Sequence, residues 1–191
     1  RRMKETVGDV DIAVATNNPK EIINHFIVYP YKERIIEKGE TTASLLVSSG
    51  KQIDLMTMEK NSFGSLLQHF TGSKNHNVHL REYALQIGFS LSEYGIKKKG
   101  KIEKYDTEEK FYKALGMDFI PPEIREDTGE IEASVKHNLP QLVELKDIKG
   151  DLHIHSSYPI EPSHDLGQNT MEEMTKKAIA LGYEYLGFSE D

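Results

Sequence analysis

The run Gly8-Asp9-Val10-Asp11-Ile12-Ala13-Val14 alternates acid with aliphatic residues and then turns wholly apolar. Alternation of that period predicts a β-strand. Asp9 and Asp11 then share one face, about 6.5–7 Å apart along the chain, and Val10, Ile12 and Val14 take the other face for burial. Two carboxylates held close together cannot both stay ionised without a counter-charge. A divalent cation supplies one, and hard oxygen donors suit Mg²⁺. The same short pattern also fits an Asp pair that caps a turn at a strand edge, so it needs support from its surroundings.

Arg1-Arg2 lie just upstream, and a second apolar run with an embedded acid follows at Gln52-Ile53-Asp54-Leu55-Met56. If that run is a neighbouring strand, Asp54 joins Asp9 and Asp11 in a three-carboxylate, two-metal site. Such sites hold two ions roughly 3.5–4 Å apart and stabilise the attacking and leaving oxygens of an in-line phosphoryl displacement. The order R-R-x-x-E-x-x-G-D-x-D followed by the x-I-D-L strand resembles the palm of the family X DNA polymerases, the DNA polymerase beta group. By that resemblance, Asp9, Asp11 and Asp54 hold the metal that lowers the pKa of a primer 3′-hydroxyl. Asp9 and Asp11 hold a second ion that binds the triphosphate, Mg²⁺ or Mn²⁺ in each case, and Arg2 neutralises the β- and γ-phosphates.

Downstream, Thr16-Asn17-Asn18-Pro19 predicts a helix start, with Glu21 to Phe26 at helical spacing. Strand-like runs follow over 31–37, 43–47 and 52–58, punctuated by Gly39 and Ser48-Ser49-Gly50 as hairpin turns. A helix opening at Asn61-Ser62 ends at His69-Phe70-Thr71-Gly72-Ser73, where Gly72 permits a sharp turn. A second helix runs from about His76 to Ile87, with Leu80, Ala84 and Leu85 apolar and Asn77 and Arg81 four apart on one face. His69 to Ser73, Asn77, Arg81 and Gly88 to Tyr94 are similar to the family's nucleotide-binding subdomain. The resemblance implies that His69, Phe70, Thr71 and Gly72 pack against the sugar of an incoming dNTP. Asn77 then meets its base edge, and Arg81 the template strand. His69 stands where better-known relatives carry Tyr, and Val78 where some carry Lys. A solvated helix face and an ordinary helix C-cap remain the plain alternatives.

Gly95 to Tyr105 reads as a basic hairpin in which Lys97, Lys98 and Lys99 contact DNA phosphates or form a solvated loop. Thr107 to Leu115 predicts a short helix capped by Thr107, with Glu108 and Glu109 in its first turn. The stretch 120–132 resembles the end of the polymerase core in bacterial members, without chemistry of its own. Gly150-Asp151-Leu152-His153-Ile154-His155-Ser156 places His153 and His155 on one strand face, a spacing suited to transition-metal ligation. In this position it resembles the first motif of the polymerase-and-histidinol-phosphatase (PHP) domain. Thr170 to Leu181 reads as an amphipathic helix and Tyr183 to Ser189 as a buried strand. Two departures stand against an active metal site there. The loop Tyr158 to Gly167 is altered, with Asp165 its nearest acid, and the strand ends in Glu190-Asp191 where the family shows Asp-His.

The expected fold is therefore α+β. A polymerase-beta-like nucleotidyltransferase palm, a partial mixed sheet with helices, covers 1–60, and a small α/β nucleotide-binding subdomain covers 61–135. A linker follows over 136–149, and the first βαβ of a PHP (β/α) barrel occupies 150–191. The 191 residues, 37% hydrophobic and 29% charged, suffice for a packed core. No apolar run approaches the length of a membrane span, and the first residues lack a signal-peptide pattern. The absence of Cys excludes disulfides and thiolate metal sites and fits a cytosolic enzyme, and the resemblance implies a bacterial, nucleoid-associated one. Net charge is −7, but Lys and Arg cluster near the candidate site while acid gathers elsewhere, so the total does not argue against DNA. The chain starts and ends inside motifs and reads as a fragment.

The implied activity is templated transfer of a dNTP to a primer 3′-hydroxyl in gapped or primed duplex DNA, as in base excision repair, with no membrane partner. Three other readings stay open: a small-molecule nucleotidyltransferase on the same palm, a non-catalytic DNA-binding module, and a PHP phosphoesterase using Zn²⁺ or Mn²⁺ in a complete PHP domain.

Overall fold

The computed structural model describes residues 1–160 and 166–190. The chain divides into two units, Arg1–Leu139 and Pro140–Asp191.

In the first unit, strand β1 (Val10–Ala15) is followed by helix α1 (Pro19–Phe26) and three strands, β2 (Lys32–Lys38), β3 (Thr42–Val47) and β4 (Gln52–Met58). They form one mixed sheet of order β1-β4-β3-β2, with β1 parallel to β4 and the remaining pairs antiparallel. The crossover from β1 through α1 and the β2–β3 hairpin brings β4 beside β1. Pro19 opens α1, fitting a position whose N–H has no helical partner. Thr16 Oγ1 accepts from the Asn18 amide, and the Asn18 side chain turns to Glu21 instead of capping the helix. Ile23 is buried against Ala43 and Leu55, with Ile12, Val14 and Phe26 packed around them. Because side chains alternate, burying Ile12 and Val14 under α1 sends Asp11 to the opposite face. Val10 departs from the expected pattern: at the strand's first residue it is 40% exposed and stands outside the cluster around Ile23.

The rest of this unit is helical with a small sheet. A 3-10 turn (Lys60–Ser62) leads into α2 (Phe63–Phe70), and α3 follows over Lys74–Gln86. The Ser62 side chain makes no cap, whereas Ser73 Oγ accepts from the His76 amide, so α3 starts earlier than its apolar residues suggest. Leu80 and Ala84 are fully buried, but Leu85 is 63% exposed because it lies beyond the stripe those two define.

Strands β5 (Ser90–Ser92), β6 (Gly95–Lys98) and β7 (Lys101–Glu103) form an antiparallel meander. Lys99 and Gly100 both have positive φ in its second turn, as a tight two-residue hairpin requires. Helix α4 (Glu108–Ala114) is capped by Thr107, and α5 spans Glu130–Val135. The core here joins Leu80, Ala84, Ile96, Phe111, Tyr112, Leu115, Met117, Ile120 and Ile131. Edge-to-face ring contacts run Tyr105–Phe111–Tyr112–Phe119 with centroids 5.9–6.1 Å apart.

The second unit is a β-α-β unit: β8 (Gly150–Ile154), α6 (Met171–Leu181) and β9 (Tyr185–Phe188), with the two strands parallel. Thr170 and Glu173 form a reciprocal capping box at the start of α6. Strand β9 is less buried than its composition suggests, with Tyr185 52% exposed. Of the sequence expectations, Asp165 and Asp191 lie outside the described residues. Among the described residues, no helix is long and apolar enough to cross a membrane.

Candidate active site

A cleft of about 810 Å³ opens in the first unit where the segment before β1 meets the end of α2. Asp9, Asp11, Arg1 and Arg2 line one side, and Leu67, Phe70, Thr71 and Gly72 the other. Asp11 and Asp54 pair directly across neighbouring parallel strands, so their side chains share the face away from α1. Asp9 sits in the bend before β1. Burial raises the Asp11 pKa, and the charges of Asp54 and then Asp9 raise it further, with His69 opposing them. Asp11 thus carries the charge of both other acids against it. Among the described residues, no group of three or more His, Asp or Glu side chains is gathered closely enough to hold a metal ion. What fits a divalent cation is the donor chemistry, hard carboxylate oxygens that already repel one another along one strand pair.

The third acid has a partner that sequence reasoning missed. Gln52 Nε2 lies 3.0 Å from each carboxylate oxygen of Asp54. The signal was available, since residues i and i+2 of one strand share a face.

The arginines are engaged from further away. Arg1 donates to Thr71 Oγ1 and to both oxygens of Glu108, and Arg2 Nη1 donates to Glu126 Oε1 at 2.7 Å. Arg125 is fully buried. Its Nη1 donates to Glu108 Oε1 at 2.6 Å and its Nε to the Ile120 carbonyl, while the guanidinium lies over the rings of Tyr112 and Phe119. Its Nη2 has no hydrogen-bond partner among the described residues. The Arg125 carbonyl also accepts from the Ser73 amide at 2.8 Å, which ties the Thr71-Gly72-Ser73 turn to this buried charge. Nothing local in the sequence announced this network.

Gly72 has φ +124, and a Cβ there would stand 2.8 Å from His76 Cδ2. His76 is buried beneath the turn, its Nδ1 2.6 Å from Glu130 Oε1. Burial would raise the Glu130 carboxyl, but hydrogen bonds from His76 and the amides of Thr128 and Asp127 outweigh it and hold the pKa below its usual value.

His69, Asn77 and Arg81 do come together. Asn77 Oδ1 accepts from Gln68 at 2.9 Å and its Nδ2 donates to the His69 carbonyl, while Arg81 Nη2 stands 3.4 Å from His69 Nδ1. Burial lowers the His69 pKa; Glu93 and Asp11 pull it up, and Arg81 pushes it down.

In the basic hairpin, Lys97 and Lys99 are exposed. Lys98 turns inward, 3.0 Å from Glu103 and over the ring of Phe89. In the second unit, His153 and His155 meet with Nε2 atoms 3.2 Å apart, and Glu190 accepts from the Ser156 amide.

Residues 66–126 match the DNA polymerase beta thumb family. The whole chain is 35% identical over 194 aligned residues to the DNA polymerase/3'-5' exonuclease PolX of Bacillus subtilis. Along its whole length the chain is similar to the family X DNA polymerases. It spans about a third of the length of that curated relative, 33%. It shares its mixed α+β fold with polymerase beta of Leishmania infantum. In the ternary gap complex the TM-score is 0.55 at 22% identity, over 65% of this chain and 59% of that one. In the ternary P/T complex it is 0.54 at 23% identity, over 65% and 64%.

Proposed function

We propose that this family X segment carries the nucleotidyl-transfer centre of a templated DNA polymerase. The supporting observation is the cleft that sets Asp9, Asp11 and the arginine pair against Phe70, Thr71 and Gly72. Asp9, Asp11 and Asp54 would hold two divalent ions, Mg²⁺ or Mn²⁺, which when bound activate a primer 3′-hydroxyl and stabilise the leaving pyrophosphate. The protein's own groups orient the reactants. Arg2 exchanges Glu126 for the β- and γ-phosphates of the dNTP, a guanidinium being suited to phosphate oxygens. His69, Phe70, Thr71 and Gly72 form the wall against the sugar, with the Thr71-Gly72 backbone in close approach. Asn77 offers its amide to the base edge and Arg81 reaches the template strand. Lys97 and Lys99 add phosphate contacts that carry no sequence preference.

In this reading 1–60 is palm, 61–135 the nucleotide-binding subdomain, 136–149 a linker and 150–191 the opening of a PHP domain. The role is short-gap filling in base excision repair in the bacterial cytoplasm. The His153–His155 contact favours a second, separate reading for the complete second domain: metal-dependent phosphoesterase chemistry with Zn²⁺ or Mn²⁺.

The deciding experiment adds one labelled dNTP to a one-nucleotide gap, using the parent polypeptide that carries this segment, with Mg²⁺ or Mn²⁺. Templated incorporation that collapses in Asp54→Ala supports the assignment. Incorporation unchanged in that variant overturns it, untemplated transfer points to a small-molecule nucleotidyltransferase, and DNA binding without transfer to a non-catalytic module.

A further inference from the structure

The amide of Gln52 stands 3.0 Å from both oxygens of Asp54, on the strand face that Asp54 shares with Asp11. Asp54 pairs across β4 with Asp11 on one side and Ser44 on the other. An ionised carboxylate beside another acid is pushed away from it, and its torsion is otherwise free. The nearest cation in sequence, Lys51, does not supply the restraint, because its ammonium donates instead to the Val7 carbonyl at 3.2 Å. The neutral amide of Gln52 therefore fixes the carboxylate.

We propose that Gln52 is a positioning residue for the metal-binding carboxylate of Asp54, holding it in one orientation without neutralising it. The inference rests on the polymerase reading of the site. A neutral donor suits this task better than a charged one. It orients both oxygens and adds no positive charge to oppose an arriving divalent ion, whereas Lys or Arg at the same place would compete with that ion for the carboxylate. With the carboxylate already held by the amide, Asp54 would need little re-ordering to serve a divalent cation. Gln52 touches neither substrate nor the reacting atoms in this scheme and acts only through Asp54. The residue two positions before a ligand on the same strand face is thus part of the site's design, in the way outer hydrogen bonds orient metal-binding carboxylates generally.

The test uses the parent polypeptide and Gln52→Met, which keeps the length of the side chain and removes the amide. Gln52→Leu, which removes the amide with a shorter apolar side chain, is a second variant. Bound Mn²⁺ is read by electron paramagnetic resonance without substrate, and single-gap filling is followed across a Mg²⁺ series. The loss of a hydrogen bond to a charged group predicts about tenfold weaker Mn²⁺ binding in Gln52→Met and Gln52→Leu, with a matching rise in the Mg²⁺ needed for half-maximal rate. The KM for dNTP stays within about twofold, because the nucleotide wall is untouched. Gln52→Arg requires still more Mg²⁺. Unchanged Mn²⁺ binding and Mg²⁺ dependence in Gln52→Met and Gln52→Leu, with Asp54→Ala inactive, would overturn the inference and leave the site standing. Full activity in Asp54→Ala would overturn the polymerase assignment itself.

Discussion

Arg125 Nη1 donates to Glu108 Oε1 at 2.6 Å, and both side chains are buried. Glu108 also receives Arg1, so one carboxylate serves a buried cation and a cleft-lining one. Removing Arg125 leaves Glu108 still paired with Arg1, whereas removing Glu108 strands the fully buried guanidinium in a poor solvent. Glu108→Leu is expected to cost about 3–5 kcal/mol in urea unfolding. Arg125→Met combined with Glu108→Leu should cost less than the sum of the two single changes, as a double-mutant cycle reads directly.

Gly72 marks a position where backbone and packing agree. Its φ of +124 disfavours any side chain, and a Cβ would meet the His76 ring. Gly72→Ala is expected to lose about 1–3 kcal/mol from backbone strain alone. Because the turn lines the cleft, the KM for dNTP should rise with it, whereas Gly88→Ala is strained at a site with open space around it and should leave that KM unchanged. Steady-state gap filling checks both.

His79 Nδ1 sits 2.7 Å from Asp127, and that hydrogen bond raises its pKa. A raised folded-state pKa contributes stability that is fully present below the unfolded value of about 6.5 and is lost as pH rises through the folded value. His79→Asn should therefore lower the unfolding midpoint at pH 5.5 and leave it nearly unchanged at pH 9. The pair is partly exposed, so the effect is limited to a fraction of about 1 kcal/mol.

The lysines of the hairpin separate into two kinds. Lys97→Ala or Lys99→Ala should each reduce the slope of log affinity against log salt by about 1 on duplex DNA. Lys98 is held by Glu103 and Phe89, so Lys98→Ala should leave that slope nearly intact and instead lower the unfolding midpoint. Filter binding over a salt series tells them apart.

Much of the sheet was legible because strand and turn signals are local. The alternation of Asp9 to Val14, the hairpin turns at Gly39 and Gly50 and the cap at Thr107 all act within a few residues. Val10 and Leu85 were read as buried because periodicity gives a face but not what covers it. Glu108 looked like an ordinary first-turn acid, and the stretch holding Arg125 looked inert. Their pairing joins residues far apart in sequence, and no local pattern encodes such a match. Gln52 is different: its relation to Asp54 is written in the i, i+2 spacing that puts both side chains on one strand face.

The contacts of Arg1 with Glu108 and of Arg2 with Glu126 close loops of 107 and 124 residues. Contacts that span so much chain carry the largest closure entropy and form after local ones. The hairpins and helices should accordingly assemble first, and the cleft should be the last part of the unit to come into being. In refolding experiments, Arg2→Ala should then leave the folding rate nearly unchanged and accelerate unfolding, the behaviour of a clasp fastened after the transition state.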